Sequence, residues 1–506
     1  MSRPAAPPGP AARRSGYEVV VGLEVHLALR TRTKLFCACR AGGEADGDPD
    51  GPQPNRHVCP VCLGLPGALP VPNARAIELA VRFAAALSCA VPEVTAFARK
   101  HYGYPDAPKN YQISQHDRPV GLGGALELPD GRRIGLVRCH LEEDAGRLIH
   151  PTYADHSLVD LDRAGAPLIE LVTAPDLRSG DEARAFLEEV RALARALDVS
   201  DATPEEGRMR ADVNVSLRRP GEPLGTKVEV KNLNSFKSVQ AAIESEATRQ
   251  ERLLQAGRDV VQETRGWNEG GQKSYVMRTK EEAADYRYLD DPDLPPIRLT
   301  AAWLAAVRAA TPETPAALRR RYAAAGLKPD DANRLATDAD LARAFDALAG
   351  AAGRMAGAAP APAAQALANW LLVEVVGWAH AAGTDAAALR LTEPEAAARL
   401  AALVALVDAR EITGPTAKAL LGEVLAGADP RPLVEARGLR QVSDAGELAG
   451  WVDAALAAHP DVVAGAREQP KAVNFLMGKV MQASRGQARP EAVRALLLEH
   501  LGMAEA

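Results

Sequence analysis

Four cysteines are the residues whose type and spacing point most directly to chemistry in this 506-residue chain. They form two short pairs, Cys37 with Cys39 and Cys59 with Cys62. Four thiolates grouped in this way are what a closed tetrahedral zinc site needs, and such a site leaves no open position for catalysis. Because the first pair is unusually tight, buried cysteines without metal and a redox-active pair stay as alternatives. We expect a structural zinc that closes the Gly/Asp/Pro-rich loop 41–54.

Glu170 is the single residue that points most sharply to a function. It stands alone in the apolar run 167–172. An ionised carboxylate in such a run is costly unless it is paired or bound to a cation. A structural salt bridge with Arg163 would also satisfy it, so spacing alone leaves both interpretations open.

The segment 17–29 alternates as a half-buried strand. Its odd-numbered apolar residues lie on one face, so Glu24 and His26 point together from the other face. With Glu170 and the acidic segment 140–146, these residues could form an oxygen-rich site that includes one imidazole. Hard oxygen ligands suit Mg²⁺, so this interpretation predicts a magnesium site.

Three kinds of segment could bind phosphate. The run 266–274 is similar to a phosphate-binding loop, but Gln272 separates Gly271 from Lys273, no hydrophobic strand precedes it and no helix start follows, so we reject it. Basic residues within 208–210, 218–219 and 227–237 could hold phosphates of ATP or RNA, although a solvated surface is the commoner explanation. The segment 99–111 is more telling, because tyrosines, lysines and Pro-braced turns crowd together there.

The composition is that of a globular protein with roughly two to four domains. A net charge of −6 argues against a protein that coats nucleic acid through bulk positive charge, so any RNA contact must be local. No apolar run is long enough to span a bilayer, and the start has no apolar signal core, so we expect a cytoplasmic protein that does not bind membranes. Residues 1–16 predict a short disordered tail, with an organellar transit peptide as the alternative.

The elements that must position these residues change character along the chain. Residues 17–297 combine strand-like alternation with predicted helices at 72–89 and 181–197, the second opening after Ser179 with Asp181 and Glu182 in its first turn. The acidic, Pro-rich segment 290–296 cannot continue a helix and predicts a boundary. Beyond it, stretches such as 301–309 and 364–381 have helical periodicity. We predict an α+β protein, with a mixed catalytic domain at 17–297, a helical domain at 298–409 and a helical tail domain at 410–506.

Segments spread over nearly the whole chain resemble, in order, those of the B subunits of the aspartyl/glutamyl-tRNA amidotransferases. They are 22–26, 59–67, 99–102, 111–115, 140–146, 157–160, 167–172, 231–235, 285–288, 475–478 and 483–486. So many segments in order are far more specific than any one motif. The chain departs from the pattern in an insertion-like stretch at 148–155 and at Gln272.

The resemblance implies a mixed α/β cradle domain followed by the helical and tail domains, and a two-step reaction on misacylated tRNA. The B subunit phosphorylates the side-chain carboxylate of Glu-tRNA(Gln) or Asp-tRNA(Asn), using ATP and Mg²⁺. Ammonia then attacks the acyl phosphate. It comes from glutamine hydrolysis in a partner A subunit, and a small C subunit completes the heterotrimer.

Residue by residue, the resemblance implies that His26, Glu143 and Glu170 bind the magnesium ion, with Glu24 beside them. It also implies that Lys100 is catalytic. Residues expected to lie near phosphate and substrate are Lys100, Asp212 and Asn214. Basic residues expected to contact the tRNA backbone from the tail are Lys471, Lys479, Arg485 and Arg489.

Two other functions are compatible with the same residues. A non-catalytic, zinc-containing tRNA-binding subunit would present RNA to a partner and need no intact Glu170. An ATP-grasp or P-loop enzyme acting on a small acid would turn over ATP without aminoacyl-tRNA.

Overall fold

The computed structural model describes residues 13–14, 16–41, 53–151, 153, 155–279, 286–355, 362–441, 445–465, 471–484 and 487–503. The predicted tail 1–16 therefore lies almost wholly outside the described residues. So do most of the loop 41–54 and two positions, 152 and 154, of the insertion-like stretch.

Strands belong to the first two thirds of the chain. They are β1 Arg13–Arg14, β2 Tyr17–Ala28, β3 Val94–Thr95, β4 Ala98–His101, β5 Tyr111–Ser114, β6 Gly121–Leu122, β7 Ala125–Glu127, β8 Arg133–Glu143, β9 Arg147–Ile149, β10 Leu158–Asp160, β11 Pro167–Thr173, β12 Met209–Arg218, β13 Val228–Lys231, β14 Glu263–Asn268, β15 Lys273–Thr279, β16 Leu289–Asp290 and β17 Ile297–Arg298.

Helices are interspersed with these strands and continue alone beyond them. They are α1 Ala74–Ala86, α2 Gly180–Ala196, α3 Phe236–Gln255, α4 Ala301–Ala309, α5 Pro315–Ala324, α6 Pro329–Thr337, α7 Ala339–Arg354, α8 Ala364–Asn369, α9 Val376–Ala381, α10 Pro394–Asp408, α11 Gly414–Leu425, α12 Pro430–Ala436, α13 Ala445–Ala458, α14 Pro460–Gly465, α15 Lys471–Ala483 and α16 Pro490–His500. The predicted α+β class is confirmed, with a mixed sheet followed by a helical region.

One large sheet organises the first part of the molecule. Its described strands run in the order β15-β14-β13-β12-β2-β11-β8-β6, with β1 paired to β2 and β7 paired to β8. Neighbouring strands are antiparallel except β13 with β14. A small sheet of β16, β4 and β5 carries the segment 98–114.

The apolar face of the large sheet carries the core. Val21, Leu23 and Val25 of β2 are almost wholly buried, and α2 and α3 contribute further side chains to the same hydrophobic cluster. Burial of each such side chain stabilises the fold by about 1.5–3 kcal/mol. The other face of the sheet is left for polar groups, as the alternation in 17–29 predicted.

The predicted local elements are present. The alternating segment forms β2, and the two predicted helices form α1 and α2. Ser179 caps α2, because its side chain accepts a hydrogen bond of 3.2 Å from the backbone N–H of Glu182.

The stretch 364–381 is helical, but its centre is not α-helical. Trp370–Val375 form a π-helical turn between α8 and α9. Four almost wholly buried side chains, Leu367, Leu371, Val375 and Ala379, recur every fourth residue. A wider turn keeps such a repeat on one side, whereas an α-helix of 3.6 residues per turn would rotate it away.

The chain divides into two compact units, Met1–Leu318 and Arg319–Ala506. The first unit extends beyond the predicted end at 297, because β17 pairs with β3 and α4 packs on α1. In the second unit, side chains of α13, α15 and α16 form a hydrophobic cluster. The further division at 409/410 stays a prediction. Within the described residues, no helix combines the length and apolarity needed to cross a membrane.

Candidate metal-binding active site

A row of ionisable side chains crosses the polar face of the large sheet. Glu170 of β11 lies directly opposite His26 of β2 on one side and His140 of β8 on the other. Glu142, two residues after His140 on β8, points from the same face because side chains alternate along a strand. The antiparallel register therefore brings two imidazoles and two carboxylates together from three strands.

The distances within this cluster fit a divalent cation. His26 Nε2 lies 3.3 Å from Glu170 Oε2 and 3.5 Å from Glu142 Oε1, and His140 Nε2 lies 3.6 Å from a carboxylate oxygen of each glutamate. Ligand atoms of His26, Glu142 and Glu170 all lie within 4.8 Å of one another. Adjacent ligands around an octahedral Mg²⁺ with bonds of about 2.1 Å are about 3 Å apart, so small side-chain movements would complete the coordination.

The electrostatics of the cluster keep its carboxylates ionised. Burial opposes the charge on Glu170, but a hydrogen bond from His26 and the nearby His140 outweigh it and hold the pKa of Glu170 well below its usual value. The pKa of Glu142 is lowered in the same way, against burial, mainly by a hydrogen bond from His140. Burial disfavours the charged imidazole of His26, yet the two carboxylates raise its pKa. Ionised carboxylates are the form that binds a cation.

Lys100 of β4 lies beside this cluster. Its Nζ sits 4.8 Å from the centre of the Tyr286 ring. Burial alone would lower the pKa of Lys100, but the charges of Glu142 and Glu170 raise it, so the ammonium is favoured. The predicted phosphate-binding lysine is thus a cation at the edge of the predicted metal site.

Glu24, Asp212 and Asn214 lie one step further along the same face. The side-chain amide of Asn214 donates a hydrogen bond of 3.1 Å to Glu24, and Lys231 donates one of 2.6 Å to Asp212. Burial, and then the negative charges of Glu170 and its neighbours, raise the pKa of Glu24. These residues continue the polar face, but they already have partners within it.

The structure does not bring Glu143 to the metal cluster. Glu143 follows Glu142 on β8 and therefore points from the opposite face. There its carboxylate accepts a hydrogen bond of 2.6 Å from Lys109 and one of 2.8 Å from the backbone N–H of Ile113. The ligand set suggested by the geometry is thus corrected from Glu143 to Glu142.

Arg163 is not the partner of Glu170. Its guanidinium pairs with Asp144 at 3.0 Å, and Arg210 pairs with the other oxygen of Asp144 at 2.9 Å. Among the described residues, the close partners of Glu170 are the two imidazoles. The salt-bridge alternative for Glu170 does not match this arrangement.

The four cysteines come together away from that cluster. Their sulfur atoms lie within 4.8 Å of one another, and those of Cys59 and Cys62 are 3.9 Å apart. Tetrahedral Zn–S bonds of about 2.3 Å separate the sulfurs by about 3.8 Å, so the group fits a zinc ion. A hydrogen bond from Cys37 lowers the pKa of Cys62 to about 4, although burial opposes this. A thiolate is the form that binds metal.

The remaining predicted segments are surface features. The rejected phosphate-loop candidate is the hairpin of β14 and β15, and it opens no helix. In the tail, Lys479 lies over the Phe475 ring at 5.4 Å, and Arg489 directly precedes α16. The side chain of Lys471 and the whole of Arg485 lie outside the described residues.

His140 and Glu142 were not among the predicted site residues, although both stand in the acidic segment 140–146. The usable signal was their spacing of two, which puts both on one face of a strand. The sequence did not show which of three consecutive acidic residues shares that face with His140, because the end of the strand was not predicted.

Family models and named relatives match most of the chain. A family model described as the GatB/GatE catalytic domain matches residues 19–305, and one described as the GatB domain matches residues 356–501. The chain is 54% identical to the B subunit of the aspartyl/glutamyl-tRNA(Asn/Gln) amidotransferase of Thermus thermophilus, over 96% of this chain and 100% of the relative. Identity to the protein of the same name from Deinococcus radiodurans is 52%, with the same coverage. Identity to the protein of the same name from Carboxydothermus hydrogenoformans is 44%, over 96% of this chain and 99% of the relative.

Proposed function

Because the chain belongs to the GatB/GatE family of amidotransferase B subunits, we propose that it activates the side-chain carboxylate of a misacylated tRNA for amidation. The substrates are Glu-tRNA(Gln), Asp-tRNA(Asn) or both. ATP is the phosphoryl donor. The products are Gln-tRNA(Gln) and Asn-tRNA(Asn), and the reaction takes place in the cytoplasm.

The observation that carries this proposal is the cluster of His26, His140, Glu142 and Glu170 on one sheet face, with Lys100 beside it. A binding module has no need for ionised carboxylates held in a buried row by imidazoles. Charges gathered in this way are costly unless they bind a ligand.

The first step joins two anions. A carboxylate oxygen of the aminoacyl group forms a bond to the γ-phosphorus of ATP, the bond from that phosphorus to the bridging oxygen breaks, and ADP leaves. When bound, Mg²⁺ offsets the negative charge of the phosphate groups. His26, Glu142 and Glu170 would hold the ion, and Lys100 would offset charge on the transferred group.

The second step replaces phosphate by nitrogen. Ammonia attacks the acyl carbon, loses a proton and expels inorganic phosphate, which leaves the amide. We propose that a glutaminase A subunit supplies the ammonia and that a small C subunit completes the complex. Exclusion of water from the acyl phosphate prevents hydrolysis back to the starting aminoacyl-tRNA.

The zinc-fitting cysteines have a structural part in this proposal. Four thiolates fill the coordination shell, so zinc at Cys37, Cys39, Cys59 and Cys62 would fix the two ends of the loop between the cysteine pairs. Basic residues of the tail would contact the tRNA backbone, which suits recognition of RNA by shape.

Glu170→Gln in the complex reconstituted with its A and C partners tests the proposal. We expect tRNA binding to persist while ATP-dependent amidation falls by about 100-fold or more, since a charged ligand is lost. Glu188→Gln on α2, an exposed carboxylate paired with Arg184, is the matched control. Unchanged amidation in Glu170→Gln would favour the non-catalytic tRNA-binding role, and ATP turnover without aminoacyl-tRNA would favour an enzyme of small acids.

A further inference from the structure

Arg138 is a cation on the catalytic face to which no function has yet been given. It lies on β8 two residues before His140, opposite Val172 of β11. Its Nε is buried and has no hydrogen-bond partner, and no carboxylate of the described residues lies within ion-pair distance of its guanidinium. Two other cations near this face have carboxylate partners: Arg210 pairs with Asp144, and Lys231 pairs with Asp212.

A buried guanidinium nitrogen without an acceptor is unfavourable in the free protein. A buried donor that lacks a partner costs about 1–3 kcal/mol, and more when the group is charged. Because the neighbouring carboxylates could hold a cation, such a group offers a place for an anion that would contact both the guanidinium and that cation.

The backbone at Arg138 is also irregular. The register between β8 and β11 shifts there, because Val172 pairs with Arg138 while Thr173 pairs with Leu136. One extra residue on β8, a β-bulge, therefore separates the apolar start of the strand from its polar end. Bulges turn a side chain out of regular alternation and are frequent beside active sites. Arg138 is the first residue after the bulge, and the regular alternation from there to the end of β8 puts it on the same face as His140 and Glu142.

An aromatic pair borders this position. His116 and Tyr288 stack with ring centroids 4.2 Å apart and an angle of 17° between their planes. Burial raises the pKa of Tyr288, the charges of Lys100 and Arg138 lower it, and those of Glu170 and Glu142 raise it. The charges of Arg138, Lys100 and both glutamates of the candidate metal site therefore all act on this one phenol.

We propose that Arg138 binds the phosphoryl groups of the nucleoside triphosphate, at the edge of the metal cluster. This inference rests on the proposed function and assigns a binding residue within the same site. A guanidinium can donate two parallel hydrogen bonds to phosphate oxygens, which a lysine cannot reproduce. Arg138 and Lys100 then contact the triphosphate from the protein side, opposite the face occupied by the attacking carboxylate.

The test uses the reconstituted complex and three variants. Arg138→Ala removes the guanidinium, Arg138→Lys keeps the charge but not its shape, and Arg133→Ala alters an exposed arginine at the far end of the same strand. The first readout is the rate of ADP release that depends on aminoacyl-tRNA, with KM for ATP and KM for aminoacyl-tRNA measured separately. The second is the recovery of that rate when guanidinium chloride is added to the Arg138→Ala variant. Sodium chloride of equal ionic strength controls for salt.

We expect Arg138→Ala to lower kcat/KM for ATP by about 100-fold, as loss of a charged group that binds a reacting phosphoryl does. The KM for aminoacyl-tRNA should stay unchanged, and guanidinium should restore part of the activity. Arg138→Lys, which keeps the fold if the alanine variant does not, should still lose at least about tenfold. Arg133→Ala should behave as the parent protein.

Two results overturn the inference. One is unchanged ATP kinetics in both Arg138 variants. The other is a higher KM for aminoacyl-tRNA with ATP kinetics intact, which would make Arg138 an RNA contact. Failure of the proposed function is distinguishable from both, because the parent complex would then release no ADP in response to aminoacyl-tRNA.

Discussion

Glu142 and Glu143 are consecutive residues with the same side chain and opposite surroundings, which makes them a matched pair for mutation. Glu142 faces His26 and His140 in the candidate metal site. Glu143 faces Lys109 on the other side of β8. We expect Glu142→Gln to impair metal binding and Glu143→Gln to impair stability.

The magnitude for Glu142→Gln follows from the loss of a charged ligand. Even groups that only support metal ligands contribute about 10- to 100-fold to metal affinity, so loss of this carboxylate should weaken binding by at least 100-fold. That factor corresponds to about 2.7 kcal/mol. The fold should tolerate the change, because the amide of glutamine keeps a hydrogen-bonding group beside the imidazoles of His26 and His140.

The magnitude for Glu143→Gln follows from its burial. The side chains of Lys109 and Glu143 are only 13% and 5% exposed, so the substitution leaves an ammonium buried without its counter-charge. Removal of one partner of such a pair costs about 3–5 kcal/mol. The amide oxygen of glutamine can still accept from Lys109, so we expect about 3 kcal/mol, or a Tm lower by roughly 5 °C.

Two measurements on each variant show which glutamate binds the metal and which stabilises the fold. Mn²⁺ titration followed by electron paramagnetic resonance gives the metal affinity, and calorimetry gives the Tm. The reasoning would be refuted if Glu143→Gln weakened Mn²⁺ binding while Glu142→Gln left it intact. That outcome would mean that β8 presents the other glutamate to the site.

Three further outcomes are expected. Replacement of Cys59 and Cys62 together by serine should abolish bound zinc in elemental analysis, and an unchanged zinc content would exclude the cysteine site. A hydrogen bond from Arg218, together with the charge of Arg178, holds the pKa of the Glu18 carboxylate below its ordinary 4.5. The ionised carboxylate therefore stabilises the fold above that pH, and this stabilisation is lost as the pH falls through the lower pKa of the folded protein. Glu18→Gln should therefore flatten the acid limb of a Tm-against-pH curve, and an unaltered limb would contradict this. Gly180→Ala should destabilise by about 1–3 kcal/mol in urea unfolding, because the added Cβ would lie 2.7 Å from a backbone oxygen of α3. Gly353→Ala, where nothing lies within 4 Å, should be neutral or stabilising, and similar losses in both would remove the steric explanation.

The strand β2 could be predicted in full because its alternation is local information. Each odd-numbered apolar residue from Val19 to Leu27 is buried in the structure. The position of Glu170 in an apolar run was informative for a related reason, since the penalty for a buried charge does not depend on the fold around it. Both inferences needed only the chemistry of neighbouring residues.

Other features depended on partners far along the chain. His140, Glu142 and Arg138 come to the face of Glu170 only through the register between β8 and β11, which is regular from Arg138 to Glu142. The pairing of β17 with β3 likewise joins residues about 200 positions apart, and the domain boundary at 297 stays a prediction.

The row formed by Arg210, His26, Glu170 and His140 has a consequence for how the protein folds. These residues lie opposite one another on β12, β2, β11 and β8, which are far apart in the sequence. During synthesis, β1 can pair with the first two residues of β2, but the rest of β2 must wait for β11 and β12 to leave the ribosome, so its apolar side chains are exposed in the meantime. Strand pairing at such separation is slow and prone to aggregation. We therefore expect nascent chains that end before Arg218 to depend on chaperones, and the catalytic row to form only when β12 docks.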